Sequence, residues 1–154
     1  MRLGNVGTIA LLGIAGGLLL AQFVPVQTTN PPATGDVSAP PGIEATLRRA
    51  CYDCHSNETR WPWYCRVAPI SWLAAHEVEL GRRQINFSQW GEYYPATRKR
   101  KLQWTERALG QEAMPPWSYR IVHPGARLTQ QDRAALERWI DWEISGRSAE
   151  LRSK

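Results

Sequence analysis

The chain has 154 residues, enough for one domain with its own core and too few for two of ordinary size. Its formal net charge of +5 falls wholly after Gly42, because Arg2 and Asp36, the charged residues before it, cancel. The densest basic run, Arg98-Lys99-Arg100-Lys101, reads as a solvated helix face rather than a nucleic-acid patch, and the basic balance suits an acidic protein partner or anionic headgroups.

The first element is an uncharged stretch over 6–24, strongly apolar from Ile9 to Leu20, which predicts a signal peptide or membrane anchor over 1–26. Cleavage after Ala21 would set Leu19 where a small residue is required, which favours a retained transmembrane helix. Arg2 precedes the stretch and the next basic residue is Arg48. That flank places the domain on the periplasmic side of a bacterial cytoplasmic membrane, or free in the periplasm if the segment is removed. Residues 27–41 are rich in Pro, Thr and Asn and read as a linker. The folded domain is expected over 42–147, followed by a polar tail over 148–154.

Within the domain, Ile43 and Leu47 share a face of a helix over 43–50 that runs into Cys51-Tyr52-Asp53-Cys54-His55. A second helix is expected over 70–84, where Leu73, His76 and Leu80 recur at i, i+3 and i+7 and put the histidine on an apolar stripe. A third spans 97–110, with Leu102 and Leu109 one heptad apart and Gly110 at its C-terminal end. In the last, Thr129 and Asp132 form a capping-box pattern ahead of Leu136, Ile140 and Ile144. No segment alternates with period two. The expected fold is therefore all-α, a small helical domain with long structured loops at 61–69, 87–95 and 114–125.

The C-x-x-C-H pattern at 51–55 is the spacing by which two thiols bind the vinyl groups of a haem while the adjacent imidazole ligates its iron. Cys51, Cys54 and His55 are the candidate attachment and metal-binding residues. For the second axial position Met114 leads: apart from the initiator it is the sole methionine, and it stands between rigid residues in Ala113-Met114-Pro115-Pro116-Trp117. His76 is the alternative, and His123, before Pro124-Gly125, reads as a turn residue. Eight tryptophans are far above ordinary usage for such a domain. Most are expected to pack the core, with Trp61, Trp63 and Trp117 the ones to touch a porphyrin. Cys65 is an odd thiol, expected to be buried. Cys51, Cys54 and Cys65 with His76 could instead form a zinc or thiol module.

Further residues carry a resemblance. The stretch Cys-Tyr-Asp-Cys-His-Ser-Asn-Glu-Thr-Arg-Trp-Pro-Trp-Tyr at 51–64, Ser71-Trp72, Gly81-Arg82-Arg83 leading to Asn86-Phe87-Ser88-Gln89-Trp90, and Met114-Pro115-Pro116-Trp117 together resemble the bacterial haem-binding domain family over about residues 42–145. That family consists of small, usually membrane-anchored, c-type cytochrome-like proteins. The resemblance implies one covalent haem c held by thioethers at Cys51 and Cys54, with His55 as proximal ligand and Met114, or else His76, as distal ligand. Cys65 departs from the family's pattern. The function expected is one-electron transfer outside the cytoplasm with redox partner proteins and no enzymatic step. A haem enzyme or sensor with an open axial site for peroxide or a diatomic gas is the alternative.

Overall fold

The computed structural model describes residues 3–145, so the polar tail expected over 148–154 lies outside the described residues. Seven α-helices are formed: α1 (Leu3–Ala21), α2 (Pro41–Ala50), α3 (Tyr52–His55), α4 (Ile70–Gln84), α5 (Pro95–Gly110), α6 (Trp117–Val122) and α7 (Gln130–Ile144). The expected all-α architecture is therefore present, and an isolated parallel bridge between Gly35 and Gln89 is the extended pairing among the described residues. Helices α2 and α5 open on proline in their first turn, where its missing N–H costs nothing. Helix α7 opens on the expected capping box, with Thr129 accepting from the Asp132 backbone N–H and Asp132 accepting from Thr129.

The core lies where α2, α5 and α7 meet. Leu47, Leu102, Leu109, Leu136, Trp139 and Ile140 fill it from the helices, joined by Tyr52 and by Ile85, Phe87 and Trp90 from the chain after α4. Its aromatic spine is ordered: Tyr52 stacks on Phe87 at 5.5 Å between centroids, and Trp90 bridges Phe87 to Trp139. Trp90 and Trp139 are buried and Trp142 packs against them, but Trp63, Trp72, Trp104 and Trp117 are exposed. Most tryptophans therefore do not pack the core, contrary to the sequence expectation.

Helix α4 corrects a second expectation. Leu73 and Leu80 are 59% and 40% exposed and His76 is exposed, whereas Ser71, Val78 and Gly81 are buried. The helix docks on α3 by its small-residue face, which permits a closer approach than the leucine stripe would. Helix α5 ends at Gly110, as expected. Gly110 is still helical, and it is Glu112 that takes the left-handed conformation (φ 52°) that turns the chain out of the helix.

The N-terminal expectation is not met. Helix α1 has 19 residues, about 28 Å at 1.5 Å per residue against a hydrocarbon core of about 30 Å. Thr8 and the glycines at 7, 13, 16 and 17 dilute its apolar character. Among the described residues no helix is long and apolar enough to cross a membrane. The transmembrane or signal segment, the membrane partner it implied and the membrane-anchored, periplasm-facing location are corrected accordingly. The redox partner proteins expected from the basic charge likewise find no support in the structure.

Residues 29–37 lie extended along the domain. Thr34 and Gly35 donate backbone N–H groups to Ser88 O, Gly35 O accepts from Gly91, and Val37 is buried. The Gly35 and Gly91 backbones meet so closely that a Cβ on Gly35 would lie 3.3 Å from the other chain.

Closer still is the crossing of α3 and α4, where a Cβ on Gly81 would lie 2.4 Å from the Cys54 carbonyl oxygen. Gly81→Ala should cost more than about 3 kcal/mol, the upper range for forced overpacking. Gly110→Ala, with nothing within 4 Å, should be neutral or gain up to about 1 kcal/mol from helix propensity. Urea midpoints of the two variants test the contrast.

Candidate functional site

The C-x-x-C-H segment forms one helical turn. Cys51 caps α3, and its carbonyl accepts the N–H groups of Cys54 and His55 at 3.1 and 2.9 Å. Both thiols are free and half-buried. Burial, with Cys54 nearby, pushes the Cys51 thiol up to about 12, and burial with the Asp53 charge pushes Cys54 up to about 11. These are neutral thiols, unlike the acidified cysteines of thiol oxidoreductases.

His55 is held by the C-terminus of α4. Its Nδ1 lies 2.8 Å from Gly81 O and 3.2 Å from Ile85 O. A carbonyl can only accept, so Nδ1 carries the proton and Nε2 presents its lone pair. Burial lowers the imidazole's pKa, opposed by these two bonds, and keeps the ring neutral. A neutral imidazole with one nitrogen engaged by a backbone carbonyl and the other free is the arrangement of a metal-ligating histidine. The donor set therefore fits a haem iron: two adjacent thiols for attachment and a pre-oriented nitrogen.

The rest of the motif is clamped from the same direction. Phe87 N–H donates to His55 O at 2.8 Å, Arg82 Nε donates to Ser56 O at 2.8 Å, and Asn57 N–H donates to the fully buried Ser88 hydroxyl. Asn86 Nδ2 reaches Asn57 Oδ1. Arg82 extends further to Thr29 O, Asn30 Oδ1 and Thr59 Oγ1, and Lys101 Nζ closes the end of α4 on Arg83 O and Gln84 O. The Gly81-Arg82 and Asn86-Phe87-Ser88 residues thus act as the bracket of the C-x-x-C-H turn.

Asp53, inside the motif, is buried. It accepts from Arg60 N–H and guanidinium at 3.1 to 3.2 Å and from the Tyr119 hydroxyl at 2.6 Å. Burial opposes its ionisation, but the Arg60 and Tyr119 bonds outweigh that and hold its pKa below the usual carboxylate value. Tyr119 stacks on His123 at 4.2 Å, and His123 Nε2 shares a hydrogen bond with Tyr64. Asp53, Cys54, Trp61, Tyr64, Tyr119 and His123 border an open, mostly apolar cleft of about 160 Å³. Asp53, Tyr119 and Tyr64 had no sequence signal beyond residue type, since their partners lie 66 and 59 positions away.

Met114 is 39% exposed and stands apart from the hydrophobic core. Trp63 and Trp117 are 76% and 70% exposed, whereas Trp61 donates to Asn30 Oδ1. His76 is exposed on α4, and Cys65 is buried as expected. Among the described residues no three His, Cys, Asp or Glu side chains gather to hold a metal ion, so Cys51, Cys54, Cys65 and His76 do not assemble the zinc site weighed above.

Residues 16–142 match the haem-binding domain family. Comparison with curated proteins and with solved structures gives no match. The chain belongs to the haem-binding domain family, and the match takes in the strap at 29–37 together with the helical domain.

The pKa shifts set a pH dependence for the haem-free protein. His55 and His123 are both depressed by burial, so their contribution to stability is fully present above the unfolded value of about 6.5 and is lost as pH falls through their folded values. Asp53 and Asp132, the latter lowered to about 2, act in the same direction in the carboxylate range. Urea midpoints should be flat above about pH 6.5, fall below it, and fall again below about pH 4. His55→Gln should shrink the first fall and leave the second.

Proposed function

We propose that the protein carries one haem c, bound by thioethers at Cys51 and Cys54 and ligated by His55 and Met114, and serves as a one-electron carrier. The observation that carries this reading is the His55 imidazole, fixed through Nδ1 by Gly81 O so that Nε2 is left free beside two neutral thiols on one turn. Bound haem iron supplies a one-electron couple, whose potential a thioether ligand raises relative to a second imidazole.

What the chain's own residues do follows from the site. The α4 carbonyls fix the His55 tautomer and ring plane, and Arg82 and Phe87 prevent the turn from shifting. The high thiol pKa values keep Cys51 and Cys54 from oxidising readily before attachment. Met114 is supported as distal ligand because a lone methionine outside the core, in a proline-braced segment, has no packing role to explain it. Trp61, Trp63 and Trp117 supply aromatic surface for the porphyrin, which is consistent with the exposure of the last two.

The test is production with a c-type maturation system, followed by a pyridine haemochrome spectrum. Covalent haem is expected in the natural protein, with one thioether lost in each of Cys51→Ser and Cys54→Ser. Met114→Ala should keep the covalent haem, lose the near-infrared sulfur-to-iron band and admit carbon monoxide to the ferrous form. No haem in the matured protein overturns the reading. Covalent haem without that band in the natural protein moves the distal position to His76 or to an open site.

A further inference from the structure

Helix α6 follows Met114 by three positions and buries none of its residues; Trp117, Ile121 and Val122 are all exposed. Such a helix has little hydrophobic reason to stay in place. What fastens it is polar and comes from the attachment turn itself: the Tyr119 hydroxyl donates at 2.6 Å to Asp53, which lies between Cys51 and Cys54. The Asp53 carboxylate is in turn immobilised by three bonds from Arg60. A stack of Tyr119 on His123, and the His123 bond to Tyr64, brace the same helix from its far end.

On the other side of Met114 the chain is also fixed. Ala113 N–H donates to Ala108 O at 2.9 Å, and Arg133 Nη1 donates to Leu109 O at 3.0 Å. The methionine thus sits on a short span between a firm end of α5 and an α6 joined to the C-x-x-C-H turn by one charge-assisted hydrogen bond.

We propose that Asp53 and Tyr119 are positioning residues for the distal ligand: by joining α6 to the turn that bears Cys51, Cys54 and His55, they set the distance between the two axial ligands. The inference rests on the reading of Met114 as that ligand. The carboxylate inside the C-x-x-C-H motif thereby does for the distal side what the α4 carbonyls do for the proximal side. It makes both ligands answer to the same helical turn.

The experiment is Tyr119→Phe in the matured, haem-loaded protein, a change that removes one oxygen from a partly exposed ring. Tyr119→Leu is the stronger variant, since it also removes the His123 stack. Both should retain covalent haem in the haemochrome spectrum. Both should show a weakened sulfur-to-iron band and carbon monoxide binding to the ferrous form at least about tenfold faster, the weight of one hydrogen bond to a charged acceptor. Thr129→Ala, which weakens the α7 cap by a comparable amount, should change neither, which separates positioning from a general loss of stability. An intact band and unchanged carbon monoxide kinetics in Tyr119→Leu overturn the inference while leaving Met114 as ligand. Absence of the band in the natural protein overturns the ligand reading itself, and the inference with it.

Discussion

The hydrogen bond from His55 Nδ1 to the Gly81 carbonyl is the contact on which the rest of the structure turns. Gly81 O is at the end of α4, where carbonyls run out of helical partners, and it accepts from both Ile85 N–H and the imidazole. The helix terminus uses the second lone pair of an acceptor already bonded to Ile85 N–H to fix a side chain. The geometry requires α3 and α4 to cross at backbone contact, and it is the missing Cβ of Gly81 that allows it. A neutral, oriented imidazole is the consequence.

Around that crossing, the fold divides into a dry half and a wet half. The dry half is the α2, α5 and α7 core with its aromatic spine, stabilised by burial of large side chains such as Phe87, Trp90 and Ile140. The wet half, α4, α6 and the intervening turns, is held by directional polar contacts through Asp53, Arg82, Asn57, Asn86 and Ser88. The C-x-x-C-H turn lies at the seam. Tyr52 faces the core and stacks on Phe87, while Asp53, the next residue, faces the polar side. One helical turn therefore couples hydrophobic stability to ligand orientation.

The same division explains where apolar surface is left over. Leu73, Leu80, Trp63, Trp104 and Trp117 are exposed although the core is well packed. Of these, Leu73 lines the cleft beside Cys54 and Tyr119. The chain belongs to a haem-binding domain family, and its tryptophan usage exceeds what core packing alone explains.

The element types, the helix bounds at 70–84 and the α7 cap were legible in the sequence, because periodicity, proline and capping pairs act over a few residues. So was the C-x-x-C-H motif, a local pattern of residue types. The membrane segment was misjudged because the apolar run at 9–20 was weighed by itself, whereas among the described residues no helix is long and apolar enough to cross a membrane. The outward face of α4 was misjudged because a 3.6-residue period shows which residues share a face but not which face a neighbour covers. By itself the sequence determined the helical class and set Cys51, Cys54 and His55 together in one five-residue pattern. Only the tertiary structure decided the tautomer of His55, the role of Gly81 and the reach of Asp53 to Tyr119. Those depend on atoms brought together from positions 26 to 66 residues apart, and no local pattern records such a meeting.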